Sequence, residues 1–159
     1  MDATRRALKP ALGRVVLTFA LALGLCSAVS VGAAPRADAA ISSAAGIKVV
    51  QIAASYKGTP YRAGGTSPRG FDCSGYSRWV YDRIGKSLPR TSAAQYRATQ
   101  RISKSQRRVG DLVFFGSGSR VYHMGIYAGG GKIWHSPKAG DRVKLATIWT
   151  SRVTYGRVR

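Results

Sequence analysis

The chain changes its pattern near Val109, and no other feature of the sequence constrains the fold as strongly. Before this point, residues 47–56 and 73–84 space their apolar side chains as amphipathic helices do, and residues 91–96 predict a short capped helix. After it, apolar runs broken by Gly or Pro predict short strands at 112–115, 121–127, 132–136, 143–145 and 154–158. Helices followed by strands predict an α+β domain, with N-terminal helices packed on an antiparallel sheet of about five strands.

The composition limits the classes of protein that such a chain can represent. Its 159 residues suit one domain of ordinary size. Apolar residues make up 45% and there are 19 glycines, which is too hydrophobic for a disordered polycation and too glycine-rich for a helical bundle. Two cysteines and two histidines exclude a disulfide scaffold and a multi-ligand zinc finger.

The N-terminal segment has the order of a secretory signal peptide. Basic side chains come first, an apolar run follows over residues 15–28, and small residues then offer a cleavage site after Ala39. The apolar run is shorter than the roughly 20 residues that span a bilayer. We therefore expect a signal peptide over 1–39, a flexible lead-in over 40–46, and one secreted domain over 47–159.

Cleavage after Ala39 would leave a strongly basic chain. The sequence has 26 Lys and Arg against 6 acidic residues, for a formal charge of +20. Residues 1–39 carry five of the basic and two of the acidic side chains, so 21 and 4 remain, a charge of +17. Such a charge predicts salt-dependent binding to polyanions. For an exported protein we expect anionic wall polymers as partners rather than nucleic acid, and a monomer.

Cys73 is the one thiol left after cleavage, and it begins the second predicted helix behind Asp72, a favourable N-cap residue. The free N–H groups and positive dipole end of a helix favour a thiolate, and the same groups can stabilise an oxyanion. A cysteine in this position is either a nucleophile or a small apolar core residue. The stretch alone leaves both interpretations open.

The two histidines favour the nucleophile. His123 and His135 fall in predicted strands joined by the glycine-rich residues 128–131. A hairpin centred on Gly130 makes the two histidines diagonal neighbours on one face, and one centred on Gly129 places them directly opposite, whereas a loop of even length separates them. Two imidazoles on one face, with a helix-terminal thiol, supply a nucleophile, a base and an orienting group.

With these residues in place, the sequence resembles the NlpC-type cell-wall cysteine peptidases. These are papain-like enzymes that cut the peptide stems of bacterial peptidoglycan. The resemblance covers residues 47 to 158 and follows the family's order and spacing. It rests on GTPYRAGG at 58–65, FDCSG at 71–75, LPRTS at 88–92, GDLVFF at 110–115, and HMGIY at 123–127 with His135. Val109 in place of the usual proline and Met124 in place of a small β-branched residue depart from the family pattern.

The resemblance implies a role for each site residue. Cys73 matches the nucleophile, His123 the base that takes its proton, and His135 the residue that orients His123. Tyr61 matches a tyrosine near the oxyanion, while Asp72 and Ser74 look like part of the substrate pocket. The implied reaction is hydrolysis of the D-γ-glutamyl bond to the diamino acid of the stem peptide, through a thiolate–imidazolium pair and without metal or cofactor.

Three other functions remain open on the sequence. Cys73, His123 and His135 could hold zinc in a metal-assisted hydrolase, although no fourth ligand is evident. The same thiol site could act as an amidase or acyltransferase on another substrate. Finally, the chain could be a non-catalytic secreted module that binds the cell wall.

Overall fold

The computed structural model describes residues 40–159, and the predicted signal peptide lies outside the described residues. The α-helices formed by residues 40–159 are α1 (Ser43–Ser55), α2 (Cys73–Asp82) and α3 (Ser92–Ala98). A short ribbon precedes α2 and pairs β1 (Thr66–Ser67) with β2 (Gly70–Phe71). The main sheet of this region contains β3 (Gln100–Ile102), β4 (Leu112–Phe115), β5 (His123–Gly129), β6 (Lys132–His135), β7 (Lys144–Thr147) and β8 (Val153–Arg157).

The main sheet is antiparallel throughout, which confirms the predicted α+β architecture. Its strand order is β3-β8-β4-β5-β6-β7, so the C-terminal strand β8 inserts between β3 and β4. Strands β4, β5, β6 and β7 follow one another as a meander. No helix within residues 40–159 has the length and apolar character needed to cross a membrane.

The sheet is buried on both faces near its centre. Leu112 and Phe114 of β4 join the core under the helices, where they meet Val49 of α1 and Tyr76 of α2. The alternate residues of β4, Val113 and Phe115, point to the opposite face. They belong to a second cluster there, together with Tyr127, Ile133 and Tyr155. Burial on both faces explains why β4 is a continuous apolar run rather than an alternating one.

The first helix begins earlier than the sequence predicted. Residues 43–46 were expected in the flexible lead-in, but they form the first turn of α1, because the Ser42 hydroxyl accepts a hydrogen bond from the Ala45 N–H at 3.2 Å. Gly46 is a packing residue: a Cβ atom there would lie 2.1 Å from the Val109 carbonyl oxygen. Ile41 is also buried, and its N–H donates to the Val158 carbonyl at 3.0 Å.

The sheet has six strands where about five were predicted. The additional strand, β3, is three residues long and pairs only with β8. Its residues Gln100 and Arg101 are exposed, so the strand lacks the apolar alternation that marks a half-buried one. Short, charged edge strands of this kind resist pairing with other chains, and their sequences give little signal.

Candidate active site

The nucleophile turn, residues 71–75, forms as the sequence predicted. Asp72 is the N-cap of α2, and its carboxylate accepts a hydrogen bond from the Gly75 N–H at 2.7 Å. Cys73 is therefore the first residue of the helix, where the backbone N–H groups are free of intrahelical partners. Gly75 is required by packing, since a Cβ atom there would lie 2.0 Å from the Gly65 carbonyl oxygen.

Arg90 holds this turn from outside and was not predicted as a site residue. Its Nη1 donates to Asp72 Oδ1 at 3.1 Å and to Ser74 Oγ at 3.0 Å, and its Nη2 pairs with the second carboxylate oxygen of Asp72. Burial opposes ionisation of Asp72, but the bonds from Arg90, Gly75 and Ser74 outweigh it and lower the pKa of this carboxyl below its ordinary value. The only sequence signal for Arg90 was its place in the LPRTS motif.

The thiol of Cys73 lies against the strand that carries His123. The backbone N–H groups of Met124, the residue after His123, and of Ser74 and Cys73 favour the thiolate and lower its pKa. Burial nevertheless raises the pKa of the thiol, and the Asp72 carboxylate adds to this effect. The helix terminus therefore does not by itself keep Cys73 ionised, contrary to the resting thiolate expected from the sequence.

The histidine hairpin, residues 123–135, reaches the predicted geometry by an unexpected route. Its loop is the two-residue turn Gly130–Gly131, with φ of +56° and +72°, which is an even length. Such a loop alone would place the two histidines on opposite faces. A β-bulge between Tyr127 and Gly129 inserts one unpaired residue, Ala128, and shifts the register by one.

The bulge brings the two imidazoles into contact. Beyond it, the register pairs Ile126 with Trp134 and makes His123 and His135 diagonal neighbours, as expected for a hairpin centred on Gly130. His123 Nε2 lies 2.8 Å from His135 Nδ1. Because that bond occupies Nε2 of His123, its Nδ1 is the nitrogen left to exchange a proton with a thiol.

Both histidines are neutral in this environment. Burial, with His135 beside it, lowers the pKa of His123 to about 4. Burial and the nearby Lys144 lower the pKa of His135 to about 4, against the opposing effect of Asp141. If Nδ1 of His123 is the base, its Nε2–H donates to His135 Nδ1, and the proton of His135 then lies on Nε2. That nitrogen is buried and has no hydrogen-bond partner within residues 40–159.

Ser136 links the histidine hairpin to the nucleophile turn. Its buried hydroxyl donates to the Phe71 carbonyl at 2.7 Å, two residues before Cys73. Because Ser136 follows His135 directly, this bond fixes the end of β6 against the start of α2. The sequence offered no signal for it, since the two residues are 65 positions apart.

Tyr61 lies at the same site, on the side of the thiol. Its N–H donates to the Asp141 carbonyl at 2.9 Å, and its backbone forms a parallel bridge with Phe71. Burial raises the pKa of its hydroxyl, with the neighbouring Cys73 and Asp72 adding to the shift and Arg90 opposing it. A phenol that keeps its proton next to the thiol can donate a hydrogen bond to an oxyanion.

Trp149 covers the histidines and was also missed. Its ring stacks on Phe115 with centroids 4.0 Å apart and planes at 10°, and its centroid lies 5.7 Å from His123 and 5.6 Å from His135. The side chain is nevertheless 53% exposed. A single aromatic residue between two predicted strands carries no periodic signal, so only the fold reveals this contact.

The predicted site residues therefore converge in one place. Cys73, Asp72 and Ser74 share the start of α2, Tyr61 lies beside them, and the histidines approach from β5 and β6. Within residues 40–159, no group of three His, Cys, Asp or Glu side chains is arranged to hold a metal ion, and the two histidines direct nitrogens at each other.

Comparisons with known proteins show the family of the chain. Residues 58–157 match the model of the NlpC/P60 family. The probable endopeptidase p60 of Listeria monocytogenes is 46% identical over 113 residues, which are 69% of this chain and 23% of that protein. The gamma-D-glutamyl-L-lysine dipeptidyl-peptidase of Bacillus subtilis is 38% identical over 104 residues, which are 63% of this chain and 35% of that protein.

A solved structure matches over its whole length. The NlpC/p60 domain of the peptidoglycan hydrolase SagA superposes with a TM-score of 0.66 at 37% identity, covering 75% of this chain and 100% of that domain. The curated relatives are several times longer than the segment that they share with this chain. The shared segment contains the helix-terminal cysteine and both histidines, and on these grounds the chain belongs to the NlpC/P60 family.

Proposed function

We propose that the protein is a secreted cysteine peptidase that hydrolyses peptidoglycan stem peptides, at the D-γ-glutamyl bond to the diamino acid. The observation that carries this proposal is the 2.8 Å contact between His123 Nε2 and His135 Nδ1, which leaves Nδ1 of His123 for the Cys73 thiol. The names of the relatives support the substrate, since they include an endopeptidase, a γ-D-glutamyl-L-lysine peptidase and a peptidoglycan hydrolase.

The first half of the reaction forms an acyl-enzyme. Because the thiol and imidazole are both neutral at rest, His123 takes the proton of Cys73 as Sγ attacks the amide carbon. The resulting oxyanion is held by the backbone N–H of Cys73 and the hydroxyl of Tyr61. The protonated His123 then gives its proton to the leaving amine, the C–N bond breaks, and a thioester remains on Cys73.

The second half restores the enzyme. Water takes the place of the leaving amine, and His123 accepts one of its protons as the oxygen attacks the thioester carbon. The C–S bond breaks, His123 returns its proton to Sγ, and the acyl group leaves as a carboxylic acid, which loses its remaining proton to solvent. His135 holds the ring of His123 in position throughout, and its Nδ1 favours the tautomer in which Nδ1 of His123 is free.

The cluster of Asp72, Ser74 and Arg90 supports a polar subsite on the acyl side of the thiol. These side chains are partly accessible, with 35% of the Arg90 side chain and 15% of the Asp72 side chain exposed. A fixed carboxylate and guanidinium beside the nucleophile suit a substrate that carries both an amine and a carboxylate. Stem peptides carry both groups.

A digest of purified peptidoglycan tests the proposal. The protein and its Cys73→Ala variant are incubated with wall material, and the released fragments are measured by mass spectrometry. We expect fragments that end in γ-D-glutamate, absent with the variant. Release that requires zinc and stops with a chelator would favour metal-assisted hydrolysis, and products cut at another amide or ester would favour a different thiol reaction.

A non-catalytic wall-binding module is the second function that the same experiment addresses. Among residues 40–159, three of the four acidic side chains are paired, Asp72 with Arg90, Asp111 with Arg157 and Asp141 with Lys144. Most of the 21 cations in this region therefore lack an acidic partner, which favours association with anionic wall polymers in the extracellular space. Salt-sensitive binding of both proteins without release of fragments would support the module and contradict the peptidase.

A further inference from the structure

A cleft of about 270 Å³ adjoins the two histidines. Tyr122, Pro137, Lys138 and Trp149 line it together with His123 and His135. Its volume lies just below the range of about 300 to 1,000 Å³ that is typical of small-molecule sites, which suits one amino-acid residue rather than a polymer. Neither the family pattern nor the proposed mechanism uses Lys138, Tyr122 or Trp149.

The chemistry of the reaction decides which part of the substrate lies there. His123 must protonate the leaving amine, so the leaving residue lies next to the imidazole. None of Asp72, Ser74 and Arg90, the side chains proposed to bind the acyl half, lines the cleft. If the proposed function holds, on which this inference rests, the residue that enters the cleft is the diamino acid of the stem peptide.

The walls of the cleft combine an apolar surface with one cation. Trp149 stacks one ring face on Phe115, but Trp149 and Tyr122 remain 53% and 69% exposed, which leaves aromatic surface open to a methylene chain. Lys138 is exposed, and within residues 40–159 no carboxylate lines the cleft. Asp141, which follows Lys138 in the chain, is already bonded to Lys144 at 2.6 Å. The ammonium of Lys138 is therefore free to pair with a group on the ligand.

We propose that this cleft is the subsite for the leaving diamino acid, and that Lys138 selects a residue whose side chain ends in a free carboxylate over lysine. The aromatic walls contact the methylene chain that both diamino acids share. At its end, meso-diaminopimelate presents a carboxylate beside its ammonium, whereas lysine presents an ammonium alone. Lys138 attracts the first and repels the second, so the selection has an attractive and a repulsive part.

Three matched stem peptides test this selection. One carries meso-diaminopimelate, the second its carboxamide, which has the same shape without the charge, and the third lysine. For the wild-type protein we expect kcat/KM to be about threefold higher for the free carboxylate than for the carboxamide, since the ion pair is exposed, and lowest for lysine.

Charge variants locate the effect. Lys138→Gln should remove the difference between the carboxylate and carboxamide peptides, and Lys138→Glu should reverse it in favour of lysine. Lys48→Gln is the matched control, because Lys48 is exposed on α1 and the variant makes the same change in net charge. The control should keep the wild-type order of the three peptides.

The outcomes separate the inference from the function on which it rests. Cleavage of all three peptides at equal rates, or a preference that survives in Lys138→Gln, would overturn the selection and leave the peptidase intact. No cleavage of any peptide by the wild-type protein would overturn both. A preference that is lost equally in Lys48→Gln would assign it to the net charge and would also overturn the role of Lys138.

Discussion

The nucleophile turn and the histidine hairpin reach the same site by different means. The turn is fixed mainly within four residues, because the Asp72 carboxylate caps the helix that Cys73 begins. The hairpin instead depends on strand register. The single bulged residue Ala128 sets that register, and the register brings together His123 and His135, which are 12 positions apart. Local hydrogen bonds therefore determine where the thiol lies, whereas strand pairing determines whether a base can meet it.

Removal of the thiol should have the largest effect, because it deletes the nucleophile and leaves its scaffold in place. We expect Cys73→Ala to lower kcat by about 10³-fold or more, since no other group can form the acyl-enzyme. Circular dichroism and the unfolding midpoint should be unchanged or slightly improved. Hydrolysis of a stem peptide by the variant at more than a few per cent of the wild-type rate would contradict a thiol mechanism.

The neutral resting pair predicts how the thiol reacts with pH. Burial raises the pKa of Cys73, so the thiolate fraction and the rate of alkylation should rise about tenfold per pH unit across the neutral range, about 10²-fold over two units. Peptide hydrolysis should instead vary little there, because His123, with a pKa of about 4, is already an unprotonated base. An alkylation rate that is flat from weakly acid to neutral pH would indicate a resting thiolate.

The hairpin can be tested first at the orienting histidine. His135→Ala removes the partner of His123 Nε2, and we expect kcat to fall about 10²-fold while KM changes little. His135→Asn keeps a polar group that can accept the Nε2–H, so it should recover part of the loss. Equal losses in both variants, with a normal fold, would show that packing around Trp149 matters rather than the hydrogen bond.

The contrast between the two regions also explains what the sequence could predict. The helix start at Cys73 and the strands β4 and β6 follow from caps and apolar runs that lie within a few residues. Both hairpin centres considered for the histidines put them on one face, but the bulge that produces this register leaves no mark in the sequence. The first helix was misjudged for a related reason, since Gly46 marks a close backbone approach rather than flexibility.

The missed site residues were beyond local reasoning. Arg90 meets Asp72 from 18 residues away, and Ser136 meets Phe71 from 65 residues away. Trp149 reaches the histidines only because the segment after β7 folds back over the second core cluster. In each case the sequence gives the residue type, but the partner of the side chain is determined only by the tertiary structure.

A methyl group placed between the strands of the hairpin should have the next largest effect. Gly125 precedes Ile126, the partner of Trp134, and a Cβ atom at Gly125 would lie 2.9 Å from the Trp134 carbonyl oxygen and 3.2 Å from His135 Cβ. Gly125→Ala should displace His135 and lower kcat about tenfold. Gly130→Ala is the control for hairpin stability, because its φ of +56° strains an alanine in the turn while its Cβ would have no neighbour within 4 Å. Similar losses in the two variants would show that hairpin stability, not the position of His135, was affected.

The smallest effect is expected at the nucleophile turn, where Asp72 still caps the helix after Arg90 is removed. Arg90→Gln should lower the free energy of unfolding at neutral pH by about 1 kcal/mol, because the pair is partly exposed and its contribution is screened. The pair lowers the folded-state pKa of Asp72, so its contribution is complete above the ordinary Asp pKa of about 4 and is lost as the pH falls through the lower folded value. Denaturant unfolding of both proteins should therefore differ at neutral pH and converge in acid. A difference that persists in acid would mean that Arg90 stabilises the turn through packing or through its bond to Ser74, which does not depend on the charge of Asp72.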